Sequence, residues 1–280
     1  MKLRHLNSIA TLALCAAFAG PAMADGIFPD THAVTFSFSD AADLEQTRMT
    51  LAWDGTNYWS SSGGGNTGLR LAQYAADGTL LNTYEPGLDL RSVFTNGGAG
   101  PVYARQYNDS QIYVQTSPGV FGTDVVLSGG SLDAQGSVAF DDSGAFIAMN
   151  AGNVDRWDAA GNYIESIALS GFGSMFNENT YPQNRGLAFF GGMDFPHFLT
   201  YSEGMLSAWD AAGIRVGTTE LLTGGITFDS HFSLSYANGM VWVVDEPGGL
   251  WKGYELQVVP EPATFVALAA GVCMLLRRRR

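Results

Sequence analysis

Residues 138–169 read VAFDDSGAFIAMNAGNVDRWDAAGNYIESIAL. Two apolar runs, Ser137–Phe140 and Phe146–Asn150, flank the tight turn Asp141-Asp142-Ser143-Gly144. Trp157-Asp158-Ala159-Ala160-Gly161 then ends a strand on an aromatic, turns, and closes on glycine before Tyr163–Leu169 leaves as another strand. Asp and Gly between short apolar runs are hairpin chemistry: Asp bonds the backbone ahead of it, and Gly reaches positive φ. These 32 or so residues therefore predict a four-stranded meander.

The unit recurs. Trp209-Asp210-Ala211-Ala212-Gly213 repeats the turn, and Tyr74-Ala75-Ala76-Asp77-Gly78 varies it. Fainter copies carry Ser117-Pro118-Gly119 and Trp251-Lys252-Gly253. With Tyr74, Thr116, Trp157, Trp209 and Trp251 as anchors, the steps are 42, 41, 52 and 42 residues. Four strands per ~40–45 residues is the blade period of a β-propeller. The spacing predicts five blades, at 48–84, 90–127, 135–169, 184–222 and 232–258. Val34–Phe38 is expected to pair into the last blade and close the ring, removing the sheet edges that invite aggregation. A sixth blade would form if Ala33–Asp43 began a degenerate one. A β-sandwich with chance similarity between turns is the other all-β reading.

Composition agrees. Glycine is 35 of 280 residues and hydrophobic residues are 46%, enough for a sizeable core. Charged residues are only 15%, against about 25% in an ordinary domain. No window of 12 or more residues in the body shows a helical apolar period, which excludes a bundle or coiled coil. Between Asp25 and Glu261 stand 27 acids and 8 bases, a net of −19, which argues against nucleic acid as a partner. An acidic surface of this kind suits solubility and divalent-cation bridging to anionic polysaccharide.

The two ends differ from the body. Lys2 and Arg4 precede the apolar run Ile9–Gly20, and Ala22 and Ala24 occupy the −3 and −1 positions of a cut before Asp25. That is the tripartite pattern of a cleaved signal peptide, 1–24, read by signal peptidase. At the other end, Pro260-Glu261-Pro262 resists helix and strand and marks an accessible boundary. The apolar run 265–276 follows, and at 1.5 Å per residue it reaches about 18 Å, short of a ~30 Å membrane core. Arg277, Arg278, Arg279 and Arg280 would hold that end on the cytoplasmic side. Both cysteines, Cys15 and Cys273, lie in these terminal segments, so a processed body needs no disulfide.

Residues 259–280 resemble the PEP-CTERM sorting signal of Gram-negative bacteria. The resemblance implies transient insertion into the inner membrane by a short hydrophobic helix. It further implies cleavage near Pro260-Glu261-Pro262 by an exosortase, and delivery to the cell surface or an exopolysaccharide matrix. The body, 25–258, resembles secreted propeller repeats of the YVTN and NHL type in general character only. The expected architecture is thus all-β, a propeller flanked by a signal helix and a short C-terminal helix.

Chemistry in the body is sparse. His32, His197 and His231 show no paired-ligand spacing, and no Gly-x-Ser-x-Gly elbow occurs, so neither a metal, a cofactor nor a catalytic residue is assigned. Gly63-Gly64-Gly65-Asn66-Thr67-Gly68 satisfies GxGxxG but precedes a strand, so it reads as a loop. Asp141, Asp142, Asp158 and Asp210 read as turn residues ahead of Ca²⁺ ligands. Trp53, Tyr58 and Trp59, with Tyr181 in the long break Gly171–Asn184, are the candidate ligand contacts, because aromatics stack on sugars and long loops carry binding. Three functions compete. The first is a non-catalytic surface or matrix protein linked to exopolysaccharide. The second is a glycan- or ligand-binding propeller. The third is a secreted hydrolase or lyase, which predicts two carboxylates, or a histidine and a carboxylate, converging at the central channel.

Overall fold

The computed structural model describes residues 26–40, 47–64, 70–96, 100–181, 184–191, 197–226, 228–245 and 249–258. Both terminal signals, and with them Ala22, Ala24, Asp25, Pro260, Glu261, Pro262 and Arg277 to Arg280, lie outside those residues. So do Gly65 to Thr67 and Gly68 of the glycine loop.

Five antiparallel meanders form a propeller of five blades. Blade 1 is β3 (Thr47–Trp53), β4 (Asn57–Gly63), β5 (Leu71–Ala75) and β6 (Leu80–Tyr84). Blade 2 is β7 (Leu90–Phe94), β8 (Tyr103–Gln106), β9 (Gln111–Ser117) and β10 (Val120–Val126). Blade 3 is β11 (Val138–Phe140), β12 (Phe146–Asn150), β13 (Asn153–Trp157) and β14 (Tyr163–Ala168). Blade 4 is β15 (Ala188–Phe190), β16 (His197–Ser202), β17 (Met205–Trp209) and β18 (Arg215–Leu221). Blade 5 is β19 (Ser235–Ala237), β20 (Met240–Asp245) and β21 (Leu250–Tyr254). Its fourth strand comes from the other end of the body: β2 (Phe36–Ser39) runs antiparallel to β21, pairing Phe36 with Gly253.

This closure excludes both the six-bladed reading and the sandwich. The segment from Ala33 has no blade of its own, because Phe36–Ser39 completes an existing one. Two elements escape the sequence pattern. A two-residue strand, β1 (Thr31–His32), adds a fifth, parallel strand outside β18. A five-residue helix, α1 (Phe228–Phe232), precedes β19 and is too short to show a helical period. Among the described residues no helix is long and apolar enough to cross a membrane.

Successive side chains on a strand point to opposite faces, so each blade packs on both neighbours. Among the described residues five apolar clusters form, one at each junction between blades. Tyr58 and Trp59 show the alternation. Tyr58 packs with Tyr74, Trp242 and Trp251 between blades 5 and 1, and Trp59 with Leu71, Leu90 and Val93 between blades 1 and 2.

The repeated turn now has a reason. Asp158 Oδ1 accepts the N–H groups of Ala160 (2.9 Å) and Asn162 (2.8 Å), and Asp210 Oδ1 those of Ala212 (2.9 Å) and Ile214 (2.8 Å). Each aspartate thus closes its own turn. The glycine that follows is where neighbouring blades meet. Gly161 carries its carbonyl to Ser128 N–H (2.8 Å) at the end of blade 2, and Gly213 to Ser170 N–H (2.7 Å) at the end of blade 3. A Cβ on Gly78 would strike Phe38, and one on Gly119 would lie 2.5 Å from Tyr84 Cδ1. In blades 1 to 4 the third-to-fourth-strand turn therefore docks on the outermost strand of the preceding blade; blade 5 has no such turn, because its fourth strand comes from the other end of the body.

The inner strands are joined by hydroxyls. Leu51, Val93, Val138, Leu187 and Leu234, one from each blade, are all buried around the axis. Four of their N–H groups donate to a hydroxyl of the preceding blade: Leu51 to Ser235 Oγ (2.8 Å), Val93 to Thr50 Oγ1 (2.6 Å), Val138 to Ser92 Oγ (3.2 Å) and Leu187 to Ser137 Oγ (3.0 Å). At the fifth junction Gly186 replaces the hydroxyl, where a Cβ would lie 2.6 Å from His231 O. Ser137→Ala strands the buried Leu187 N–H and is expected to cost about 1–3 kcal/mol. Chemical denaturation, with exchange of the Leu187 amide, checks it, and unchanged stability and protection would show the staple to be idle.

Candidate functional site at the ring axis

The carboxyl-terminal ends of the inner strands open into an axial cavity of about 340 Å³. Its floor is the aliphatic ring of Leu51, Val93, Val138, Leu187 and Leu234. Aromatics form the wall: Phe94 and Phe140 (ring centroids 5.3 Å apart), Phe189 and Tyr236. Thr95, Asn96, Asp141, Asp142 and Gly191 also line it. The arrangement follows from the meander. Blades 3 and 4 each bring an aliphatic, an aromatic and a turn residue two positions apart, Val138, Phe140 and Asp142, and Leu187, Phe189 and Gly191; blade 5 brings Leu234 and Tyr236, and blade 1 Leu51 beside Thr50.

The two carboxylates differ. Asp141 is buried; its Oδ1 accepts Ser143 N–H (2.9 Å), Ser143 O–H (2.6 Å) and Ala145 N–H (3.0 Å). Its Oδ2 takes a fork from Arg156, Nη2 at 2.7 Å and Nε at 3.1 Å. Arg156 also pairs with Glu165 behind it. Asp142 is exposed and, like Phe189, lies close to Gly191: a Cβ there would be 3.5 Å from the Phe189 ring and 4.0 Å from Asp142 Cβ. Among the described residues that line the cavity these two carboxylates stand without a lysine, arginine or histidine.

None of the four aromatic ligand candidates lines this cavity. Tyr58 and Trp59 are 0% and 2% exposed, core residues on opposite faces of β4. Trp53 is half-buried, its ring 4.5 Å from Tyr58. Tyr181 is exposed and lies 5.9 Å from Phe232, with the Arg185 guanidinium 5.4 Å from its ring. Those partners precede β15 and β19, so Tyr181 belongs to the opposite end of the axis. The loop around it is tied down by Glu178, which is buried and accepts from Gly173 N–H (2.8 Å), Ser207 O–H (3.1 Å) and Arg215 Nη2 (2.5 Å).

The three histidines are dispersed. His32 donates from Nδ1 to Thr219 Oγ1 (2.8 Å) and accepts Gln257 N–H at Nε2 (2.9 Å); burial holds it below the ordinary histidine range, so it is the neutral tautomer. His197 lies in β16, and His231 in α1 accepts Glu203 N–H (3.4 Å). Among the described residues no three metal-ligating side chains converge. A second hollow of about 320 Å³ lies between blades 2 and 3 around Arg105. That guanidinium is brought down to about 10 by burial and donates to Asp109 O (2.8 Å) and Gly136 O (2.5 Å).

No protein-family model matches the chain, and no curated protein does. Solved structures with some likeness include virginiamycin B lyase from Staphylococcus aureus, 12% identical over 81% of this chain and 73% of that one, with a TM-score of 0.39. An auxiliary nutrient binding protein from Bacteroides thetaiotaomicron is 10% identical over 81% and 70%, with a TM-score of 0.43. A protein of unknown function from Bacteroides caccae is 12% identical over 72% of each chain, also at 0.43. At this level none of their activities transfers, and the propeller assignment stands on the five sheets themselves.

Proposed function

We propose that this chain is an exported protein of the cell surface or extracellular matrix. In this reading signal peptidase cuts before Asp25 and an exosortase cuts near Pro260-Glu261-Pro262. The released propeller then serves a non-catalytic, interaction role linked to exopolysaccharide. One observation carries it. The strands that close the ring, Phe36–Ser39 and Leu250–Tyr254, both lie inside the two terminal signals. The body therefore keeps its closure when either end is removed. The chain after β21 is also held to the body: Glu255 N–H donates to Thr35 Oγ1 (3.1 Å) and Gln257 N–H to His32 (2.9 Å).

The test is the intact mass of the protein recovered from the native host's surface and medium. Wild type is expected to match residues 25 to about 259, and a variant with Pro260, Glu261 and Pro262 all replaced by alanine is expected to retain its tail. A wild-type protein that keeps residues 260–280 would overturn the sorting reading.

A second reading concerns what the body does once delivered. The axial cavity, with an aliphatic floor, aromatic wall and polar mouth, has the form of a ligand site, which favours a ligand-binding propeller.

A further inference from the structure

We infer that the axial cavity selects an organic cation of the quaternary or tertiary ammonium type. This rests on the ligand-binding reading of the propeller and is independent of how the protein is sorted. Three features converge on that chemistry.

The first is the wall. Phe94, Phe140, Phe189 and Tyr236 come from four different blades and surround one space above an aliphatic floor. A methylated ammonium is large, weakly hydrated and apolar at its surface. It loses little by leaving water, and it is attracted to the negative faces of aromatic rings. An anion gains nothing from such walls.

The second is charge. The charged side chains among the described lining are Asp141 and Asp142. Arg156 neutralises Asp141 from behind, on the blade side. Asp142 is an exposed lining residue near Gly191, placed to meet a cation that enters. The body as a whole carries a net of −19 between Asp25 and Glu261, so its field concentrates cations and repels anions.

The third is the limited polar lining. Thr95, Asn96, Ser235 and Thr50 are the neutral hydrogen-bonding side chains besides Tyr236. Thr50 and Ser235 are already occupied in the staples between blades, Thr50 with Val93 and Ser235 with Leu51 and Ser233. A sugar, which presents hydroxyls on every side, would leave most of them facing Leu, Val and Phe, and an unmet buried hydroxyl is costly. An ammonium with one polar arm toward Thr95 and Asn96 meets the lining at each depth.

The test uses a matched pair, choline and its uncharged carbon isostere 3,3-dimethyl-1-butanol, titrated calorimetrically into the purified full chain at low and at physiological ionic strength. Choline is expected to bind at least tenfold more tightly than the isostere, an advantage of about 1.4 kcal/mol. Asp142→Asn, an exposed substitution that leaves the ring intact, is expected to weaken choline several-fold and leave the isostere unchanged. Phe189→Leu keeps an apolar wall without the π face and is expected to weaken choline more than the isostere. Equal affinity for the two probes would overturn the cation inference while leaving a ligand site. Binding of neither at millimolar concentration would overturn the ligand-binding reading itself, and with it this inference.

Discussion

Replacing Asp40 with alanine is expected to lower the melting temperature by roughly 6–20 °C, the largest loss from any single side chain outside the apolar core. The reasoning starts from ring closure. A propeller whose last blade borrows a strand from the other end of the body is only as stable as that seam, and β2 contributes four residues to it. Asp40 immediately follows β2 and is 2% exposed. Its carboxylate gathers both sides of the seam. From blade 1 come Ser60 O–H (2.9 Å), Arg70 Nη2 (3.1 Å), the Tyr74 phenol and Arg48 (3.6 Å); from blade 5 comes Trp251 Nε1 (3.2 Å). Arg48 Nη2 also donates to Asp40 O (2.7 Å). Burial, and then the adjacent carboxylate, push the Tyr74 phenol well above its ordinary range, so it stays a proton donor.

A buried ion pair contributes little compared with an apolar replacement of both partners, yet removing one partner alone costs about 3–5 kcal/mol. Asp40→Ala does the latter. Arg48 is 1% exposed and would keep its charge beside a hole. At about 2–4 °C per kcal/mol for a body of this size, the range above follows. Two milder variants give the scale. Trp251→Phe removes one donor and should cost about 1 kcal/mol, and Tyr74→Phe a similar amount. Thermal unfolding of all three, followed by tryptophan fluorescence, decides the matter. If Asp40→Ala melts within 2 °C of wild type, the seam is held by strand pairing alone and the carboxylate hub is incidental.

The hub also shows where sequence reading stops. The blades were legible because their turns are local: aromatic, aspartate and glycine stand within five residues, and the pattern recurs at blade spacing. Closure by the segment around Phe36–Phe38 was legible because an open blade needs a fourth strand. Asp40 gave no such signal, since a buried aspartate and a solvated one look alike until the fold brings Arg48, Arg70 and Trp251 around it. The staples were hidden for the same reason. Thr50, Ser92, Ser137 and Ser235 each act on a partner at least 43 residues away. A hydroxyl before an aliphatic, Thr50-Leu51, Ser92-Val93 and Ser137-Val138, is a second repeat in three blades; Gly186 stands before Leu187 in the fourth, and in the fifth the stapling hydroxyl, Ser235, follows Leu234. The cavity was out of reach because five strands contribute to it one depth at a time. Adjacency misled in the opposite direction: Trp53, Tyr58 and Trp59 look like one aromatic face, but alternation along β4 sends Tyr58 and Trp59 into different cores.

Gly213→Ala is expected to cost about 3 kcal/mol or more, and Gly239→Ala only about 1–2 kcal/mol, although both glycines have φ of +76°. The shared part of the cost is conformational: an L side chain in the left-handed region crowds the following carbonyl. At Gly239, in the turn between β19 and β20, that is all there is, since a Cβ would meet nothing within 4 Å. At Gly213 the Cβ would collide with the carbonyl of Ala168, backbone of the outermost strand of blade 3, which cannot rotate away as a side chain can. The same movement would stretch the Ser170 N–H to Gly213 O bond (2.7 Å) that joins blades 3 and 4. Urea denaturation of the two variants separates the terms, provided their m-values match that of wild type. Equal losses would mean that the repeated glycine serves only the turn. An excess at Gly213 would mean that the repeat is maintained by contact between blades. The spacing from turn aspartate to glycine that blades 3 and 4 share, Asp158 to Gly161 and Asp210 to Gly213, would then follow from ring geometry, because a turn one residue longer would push the blade away from the strand it docks on.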